Sequence, residues 1–222
     1  MSGSFSVFDS VVAELLTWLQ PSSALDVGTG AGKYGHMLAR AAPQCRRVGI
    51  EAEATYIERF GLNDIYQQVH CGSAADWQAT ALDSRFDLVI VGDCLTHMSK
   101  SAGQDLLNFL AYRSAYTLIV APEFIVQSAA DSAAGLPTQE RRSVWSERDL
   151  GWHDLWAWDN CRTVSFFLLR GYLPSPMPLN QLVDRVNSSS LPIHEFFDRQ
   201  SVVRPARLRL VSQGRETSYR PA

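Results

Sequence analysis

The sequence predicts a doubly wound α/β domain: a parallel sheet of about seven strands with helices on both faces. Three observations predict it. Short apolar strands alternate with amphipathic helical stretches across residues 23–121. Three glycines at alternate positions, Gly28, Gly30 and Gly32, lie between the first strand and the next helix. Gly28, Glu51, Ser73 and Asp93 all fall where a strand ends, which is where such sheets bind ligands.

The elements follow in order. Over residues 5–20, Phe8, Val11, Val12, Leu15, Leu16 and Leu19 form one helical stripe, and Pro21 ends it. Residues 23–27 make the first strand, and a helix runs from Lys33 to about Ala42, stopped by Pro43. Arg47 to Glu51 is the second strand, followed by a helix near Thr55 to Phe60. Tyr66 to His70 is the third, after which Asp76 is expected to cap a short helix containing Trp77. Asp87 to Val91 is the fourth strand, Lys100 to Tyr112 a helix and Ala115 to Ala121 the fifth strand.

The second half is less regular. Pro122 to Thr138 is a long small-residue connection, of a length that usually carries function or disorder. Trp145, Trp152, Trp156 and Trp158 follow closely. Thr163 to Leu169 reads as a sixth strand, Leu179 to Val186 as a helix and Ala206 to Val211 as a seventh strand. One domain is expected over residues 1–222, with 122–160 as a lid or insertion at its site.

Composition narrows the partners. The net charge is −3, and Lys33 and Lys100 are the only lysines. Arginines gather near the C-terminus, but the chain lacks the strongly basic balance of a nucleic-acid binder, so none is expected. No apolar run reaches the ~18 residues of a membrane span, and Met1 to Phe8 is unlike a secretory leader. No membrane partner and a cytoplasmic location are therefore expected. Cys45, Cys71, Cys94 and Cys161 are scattered without zinc-ligand spacing, so they read as reduced thiols and no metal site is expected. The apolar N-terminal helix and the tryptophans leave a homodimer open.

The run Leu25-Asp26-Val27-Gly28-Thr29-Gly30-Ala31-Gly32-Lys33-Tyr34-Gly35 carries the chemistry. Glycines let the backbone turn sharply and lie directly against a ligand, and the N–H groups of the helix start favour a carboxylate or phosphate. The spacing G-x-G-x-G behind Asp26 differs from the G-x-G-x-x-G of dinucleotide folds. It resembles motif I of the class I methyltransferases, which bind S-adenosylmethionine (SAM). Gly49-Ile50-Glu51 resembles the end of their second strand, where a carboxylate takes the ribose hydroxyls. Phe86 to Asp93, followed by Leu95-Thr96-His97-Met98, resembles their fourth strand and motif IV.

The resemblance implies a Rossmann-like sheet of the class I methyltransferase type. It also implies SAM as cosubstrate, lined by Asp26, Gly28, Thr29, Gly30, Gly32, Glu51, Ala52, Ser73, Ala74 and Asp93. Asp26 is expected to order the glycine loop and its amides, and Ser73 or Asp76 to read the adenine amine. Asp93 reads equally as a group beside the methionine moiety or as a helix cap, and His97 as a base or a packing residue. Tyr34 and Trp145 complete the catalytic candidates. Trp145 and its neighbours read either as a lid over the sulfonium or as core.

The Gly-Lys-Tyr-Gly at 32–35 is similar to that of small bacterial methyltransferases acting on small molecules. Many of these carry a downstream pattern Glu-x-His-x-Ser-x-Trp-Ser/Thr-x-x-Asp-Leu. This chain keeps Ser143, Trp145 and Asp149-Leu150 but places arginine at the histidine. Methyl transfer to a small-molecule acceptor is the leading reading. The chain also resembles methyltransferase-like azetidine-2-carboxylate synthases, in which the α-amine of SAM attacks its own γ-carbon and methylthioadenosine leaves. Such a cyclase needs no partner beyond SAM. A non-catalytic SAM-fold binding subunit is the third reading. The motif IV segment Gly92-Asp93-Cys94-Leu95 is unlike the Asn/Asp-Pro-Pro-Tyr of base methyltransferases, which again points away from nucleic acid.

Overall fold

A computed structural model describes residues 5–123, 140–175, 177–197 and 200–213. Helix α1 (Asp9–Leu19) leads into β1 (Ser23–Val27), α2 (Lys33–Ala41) and β2 (Arg46–Glu51). Two short helices, α3 (Ala54–Arg59) and α4 (Leu62–Ile65), precede β3 (Gln68–Cys71) and α5 (Ala74–Thr80). Then come β4 (Phe86–Gly92), a 3-10 turn at Leu95–His97, α6 (Lys100–Ala111) and β5 (Ser114–Pro122). The second half holds β6 (Leu155–Asn160), β7 (Val164–Arg170), α7 (Leu179–Ser188), β8 (Pro192–Phe197), β9 (Gln200–Pro205) and β10 (Arg209–Ser212).

Eight strands form the main sheet in the order β10-β6-β7-β5-β4-β1-β2-β3. β1 to β5 run parallel, as the alternation with helices requires. All nine residues of β5 are buried, the continuous apolar run of a strand covered on both faces. One face packs against α1, α2 and α7: the stripe Val11, Val12, Leu15 and Leu16 is buried there, and Phe8 lies 5.4 Å from Phe166, ring to ring. The other face packs Trp77, Leu106, Leu110, Trp145, Trp156 and Phe167.

Three sequence expectations change. The sheet has eight strands because Leu155–Asn160, expected in a lid or insertion over 122–160, is a sheet strand. Trp156 and Trp158 stand two residues apart, the period of a strand, and Trp156 is buried beside Phe167. β6 and β7 are antiparallel neighbours because the turn at 161–163 is too short for a crossover. The cap of α5 is Ser73, not Asp76. The Asp76 N–H donates to Ser73 Oγ at 3.1 Å, and the Asp76 carboxylate accepts back from the Ser73 N–H at 3.2 Å. The β8–β9 hairpin, anchored where Ser10 Oγ donates to the Pro192 carbonyl, was not anticipated. Residues 124–138 of the long connection lie outside the described residues.

Candidate active site

The chain order reverses at β1, with β2 and β3 on one side and β4 and β5 on the other. This switch point opens a crevice at the carboxyl ends of β1 and β4. The glycine loop sits there with Gly28, Gly30 and Gly32 at φ +75°, +52° and +77°, a region that side chains resist. A Cβ at Gly28 would lie 2.9 Å from both Cβ and Sγ of Cys94, so the loop packs directly on the end of β4.

The loop is tied to β2. Gly28 N and Thr29 N both donate to the Ile50 carbonyl, at 2.9 and 3.1 Å. Gly30 N and Thr29 Oγ1 donate to Glu51 Oε2 at 2.8 and 3.2 Å, while Glu53 N donates to Oε1 at 2.9 Å. A carboxylate offers about four acceptor positions. Three are taken, which leaves Oε1 able to receive one hydroxyl directly. The 3.2 Å Thr29 contact is the longest of the three.

Asp26 does not order the loop amides. It is fully buried, and its Oδ2 accepts from the Tyr66 hydroxyl at 2.5 Å, while that hydroxyl accepts from Gly35 N at 3.1 Å. The chain Asp26–Tyr66–Gly35 therefore fixes the start of α2 to the end of β1. Oδ1 is buried with no partner. Burial raises the Asp26 pKa to about 7, opposed by the Tyr66 bond and assisted by the charge of Glu51. Burial raises Tyr66 still more strongly, so Tyr66 is the donor in this pair.

Asp93 ends β4 in a left-handed conformation, φ +58°, held by its N–H donating to the Val120 carbonyl at 2.7 Å. Its carboxylate takes a two-pronged bond from Arg141, Nη1 to Oδ1 at 3.1 Å and Nη2 to Oδ2 at 2.9 Å. Thr96 Oγ1 adds a donor to Oδ1 at 3.3 Å. Burial raises the Asp93 pKa, and the Arg141 guanidinium works against that rise. Arg141 occupies the histidine position of the pattern aligned on Ser143 and Trp145. The sequence showed the exchange; its partner 48 residues away was not legible there.

Segment 140–145 is stitched to the 3-10 turn. Arg142 N and Ser143 N donate to the Thr96 carbonyl at 2.6 and 3.1 Å. Ser143 Oγ and Trp145 Nε1 donate to the Leu95 carbonyl at 3.0 and 3.2 Å. His97 lies with Nδ1 3.2 Å from the Glu140 carbonyl, in contact with this returning strand of chain.

Trp145 is core, not lid. It is 1 % exposed, Lys100 Nζ lies 4.4 Å from its ring centroid, and a Cβ at Gly103 would come within 2.4 Å of it. Tyr34 is 2 % exposed and packs under Gly92, where a Cβ would sit 2.0 Å from its ring. Tyr34 packs under the end of β4, and Trp145 packs against the 3-10 turn and α6. Ser73 Oγ donates to Asp76 Oδ2 at 2.6 Å, Ala74 is buried in α5, and Ala52 is exposed just past β2. All four cysteines are unpaired; Cys45 and Cys161 are buried, Cys71 is exposed, and burial pushes the Cys94 thiol up to about 12. Among the described residues no helix is long and apolar enough to cross a membrane, and no group of His, Cys, Asp and Glu is arranged for a metal.

Comparison with known proteins agrees with this fold. Residues 24–112 match the family model described as a methyltransferase domain. No curated protein matches the sequence. Among solved structures, a candidate O-methyltransferase from Nostoc punctiforme is 16 % identical with a TM-score of 0.55, over 74 % of this chain and 56 % of that one. An O-methyltransferase family protein from Burkholderia thailandensis is 15 % identical with a TM-score of 0.54, over 75 % and 55 %. The O-methyltransferase TomG from Streptomyces achromogenes, solved in complex with SAM, is 20 % identical with a TM-score of 0.51, over 77 % and 82 %. The chain thus spans a little over half the length of the first two. Residues 24–112 therefore carry the pattern of a methyltransferase domain, on a sheet of the class I methyltransferase type.

Proposed function

We propose that the chain transfers a methyl group from SAM to a small-molecule acceptor. The observation that carries this is the crevice built by the glycine loop, Glu51 and Asp93 at one switch point. Bound SAM supplies a methyl carbon made electrophilic by the sulfonium. The chain's own groups fit such a ligand. Glu51 Oε1 accepts from a ribose hydroxyl while Oε2 holds the loop, and a second hydroxyl can replace Thr29 on Oε2. The bare backbone at Gly28 and Gly30 lets the ligand lie close.

Around β4, Asp93 is engaged by Arg141, whereas His97, with Nδ1 donating to the Glu140 carbonyl, keeps Nε2 as a basic nitrogen for an acceptor proton. The acceptor is brought in line with the methyl group. The O-methyltransferases among the structural neighbours support oxygen as the accepting atom.

The decisive assay incubates pure protein with SAM, alone and with a panel of small hydroxylated and aminated compounds, and identifies the released nucleoside by mass spectrometry. Acceptor-dependent S-adenosylhomocysteine (SAH) supports the reading. Enzyme-dependent methylthioadenosine together with azetidine-2-carboxylate from SAM alone would establish the cyclisation instead, because attack of the α-amine at the γ-carbon yields both. SAM binding with neither product would leave the non-catalytic reading.

A further inference from the structure

A second polar cluster lies on the same rim, past β5. Glu123 follows directly on β5, and its Oε1 accepts from Asn160 Nδ2 at 2.9 Å and from Ser165 Oγ. Its N–H donates to the Thr163 carbonyl at 3.0 Å. The three residues stand at the ends of three adjacent strands, β5, β7 and β6, in the sheet half beyond β4. Each is two residues along its strand from Ala121, Phe167 or Trp158, which pack on the Trp145 face. By the pleat they share that face. Ser165 stands opposite both Ala121 and Asn160, so the cluster is in register.

The cluster is held from behind. Arg204 grips Asp159 with two bonds of 3.0 and 3.1 Å and donates to the Asn160 carbonyl at 2.6 Å. Glu123 itself is half-buried. Nothing in the motifs of SAM binding uses these residues. They nonetheless occupy the end of the sheet where an acceptor must enter. The glycine loop and Glu51 claim the β1–β2 side, so in-line attack on the methyl group comes from the β4–β5 side.

We propose that Glu123, oriented by Asn160 and Ser165, binds a hydroxyl or amino group of the acceptor, which is therefore a neutral or cationic hydrogen-bond donor. Its Oε1 is committed to two protein donors, so Oε2 is the atom presented. The described strand ends carry Glu51, Asp93, Glu123 and Asp159 against the guanidinium groups of Arg141 and Arg204, with Arg162 in the β6–β7 turn, an acidic excess that disfavours carboxylates and phosphates. Glu123 is the binding residue; Asn160 and Ser165 position it. The inference rests on the methyltransferase reading.

The test uses four probes with one ring and different polar groups: phenol, catechol, benzylamine and benzoate. Crystals of the SAH complex are soaked with each, and affinities for the SAH complex are measured by NMR titration. Catechol or benzylamine should dock with its donor on Glu123, and benzoate should be excluded. Glu123→Gln keeps the shape but turns an amide donor toward the ligand. It should weaken the docked probe at least tenfold and leave SAH affinity within twofold, and Glu123→Ala should behave alike. No probe at Glu123, benzoate there, or unchanged probe affinity in both variants would overturn the proposal alone. Failure of the wild-type chain to bind SAH would instead overturn the methyltransferase reading and this proposal with it.

Discussion

Replacing Asp26 by asparagine should make the protein more stable above pH 7 and leave it no better at pH 4. The carboxylate is fully buried, with Tyr66 as its donor on one oxygen and nothing on the other. Burial, which Tyr66 opposes and the charge of Glu51 assists, raises its pKa from 3.8 to about 7. Below the unfolded value both states are protonated and the group costs nothing. Between 3.8 and about 7 the folded state keeps a proton that the unfolded chain has released, so stability falls as pH rises. The slope approaches about 1.4 kcal/mol per pH unit, and the loss is complete above the folded pKa. That gap is worth up to about 4 kcal/mol. Asparagine carries no charge and still accepts from Tyr66, but its buried amide N–H groups cost about 1–3 kcal/mol without partners. The net gain at pH 8 is therefore on the order of 1–3 kcal/mol. Urea unfolding of both proteins at pH 4, 5, 6, 7 and 8 measures it. A difference between wild type and Asp26→Asn that does not change with pH would refute the reasoning.

The other two predictions concern the crevice. Glu51→Ala should weaken SAM binding by about 1.5–3 kcal/mol in isothermal titration, as expected for losing bonds to a charged group. Because Glu51 also holds Gly30 and Thr29, Glu51→Gln should retain part of that affinity, and an alanine variant that binds normally would place the ribose elsewhere. Arg141→Ala should destabilise the fold by about 3 kcal/mol, since it leaves the Asp93 carboxylate largely buried and unpaired. Arg141→Ala combined with Asp93→Asn should recover much of the loss, and additive single effects in that double-mutant cycle would argue against the pair.

The five parallel strands, the glycine loop and the acidic end of β2 were legible in the sequence because their causes are local. Apolar runs of strand length, helical stripes and glycines at alternate positions each act within a few residues along the chain. The eighth strand is written in the two-residue spacing of Trp156 and Trp158, but a cluster of tryptophans fits a lid as well as a buried strand. The β8–β9 hairpin was not, since its ends, Pro192 and Pro205, obscure the alternation of a strand.

Local pattern alone suffices for a doubly wound sheet with a SAM-type loop at the end of its first strand. The tertiary structure alone decided which side chains meet. Asp26 finds Tyr66 from 40 residues away, Asp93 finds Arg141 from 48, and Glu123 finds Asn160 and Ser165 from 37 and 42. It also decided that Trp145 and Tyr34 are buried in packing, against α6 and under the end of β4. The physical reason is the same in each case. Backbone conformation follows from neighbours in sequence, whereas the partner of a buried polar group is set by how strands far apart in the chain are brought side by side, and no local pattern records that choice.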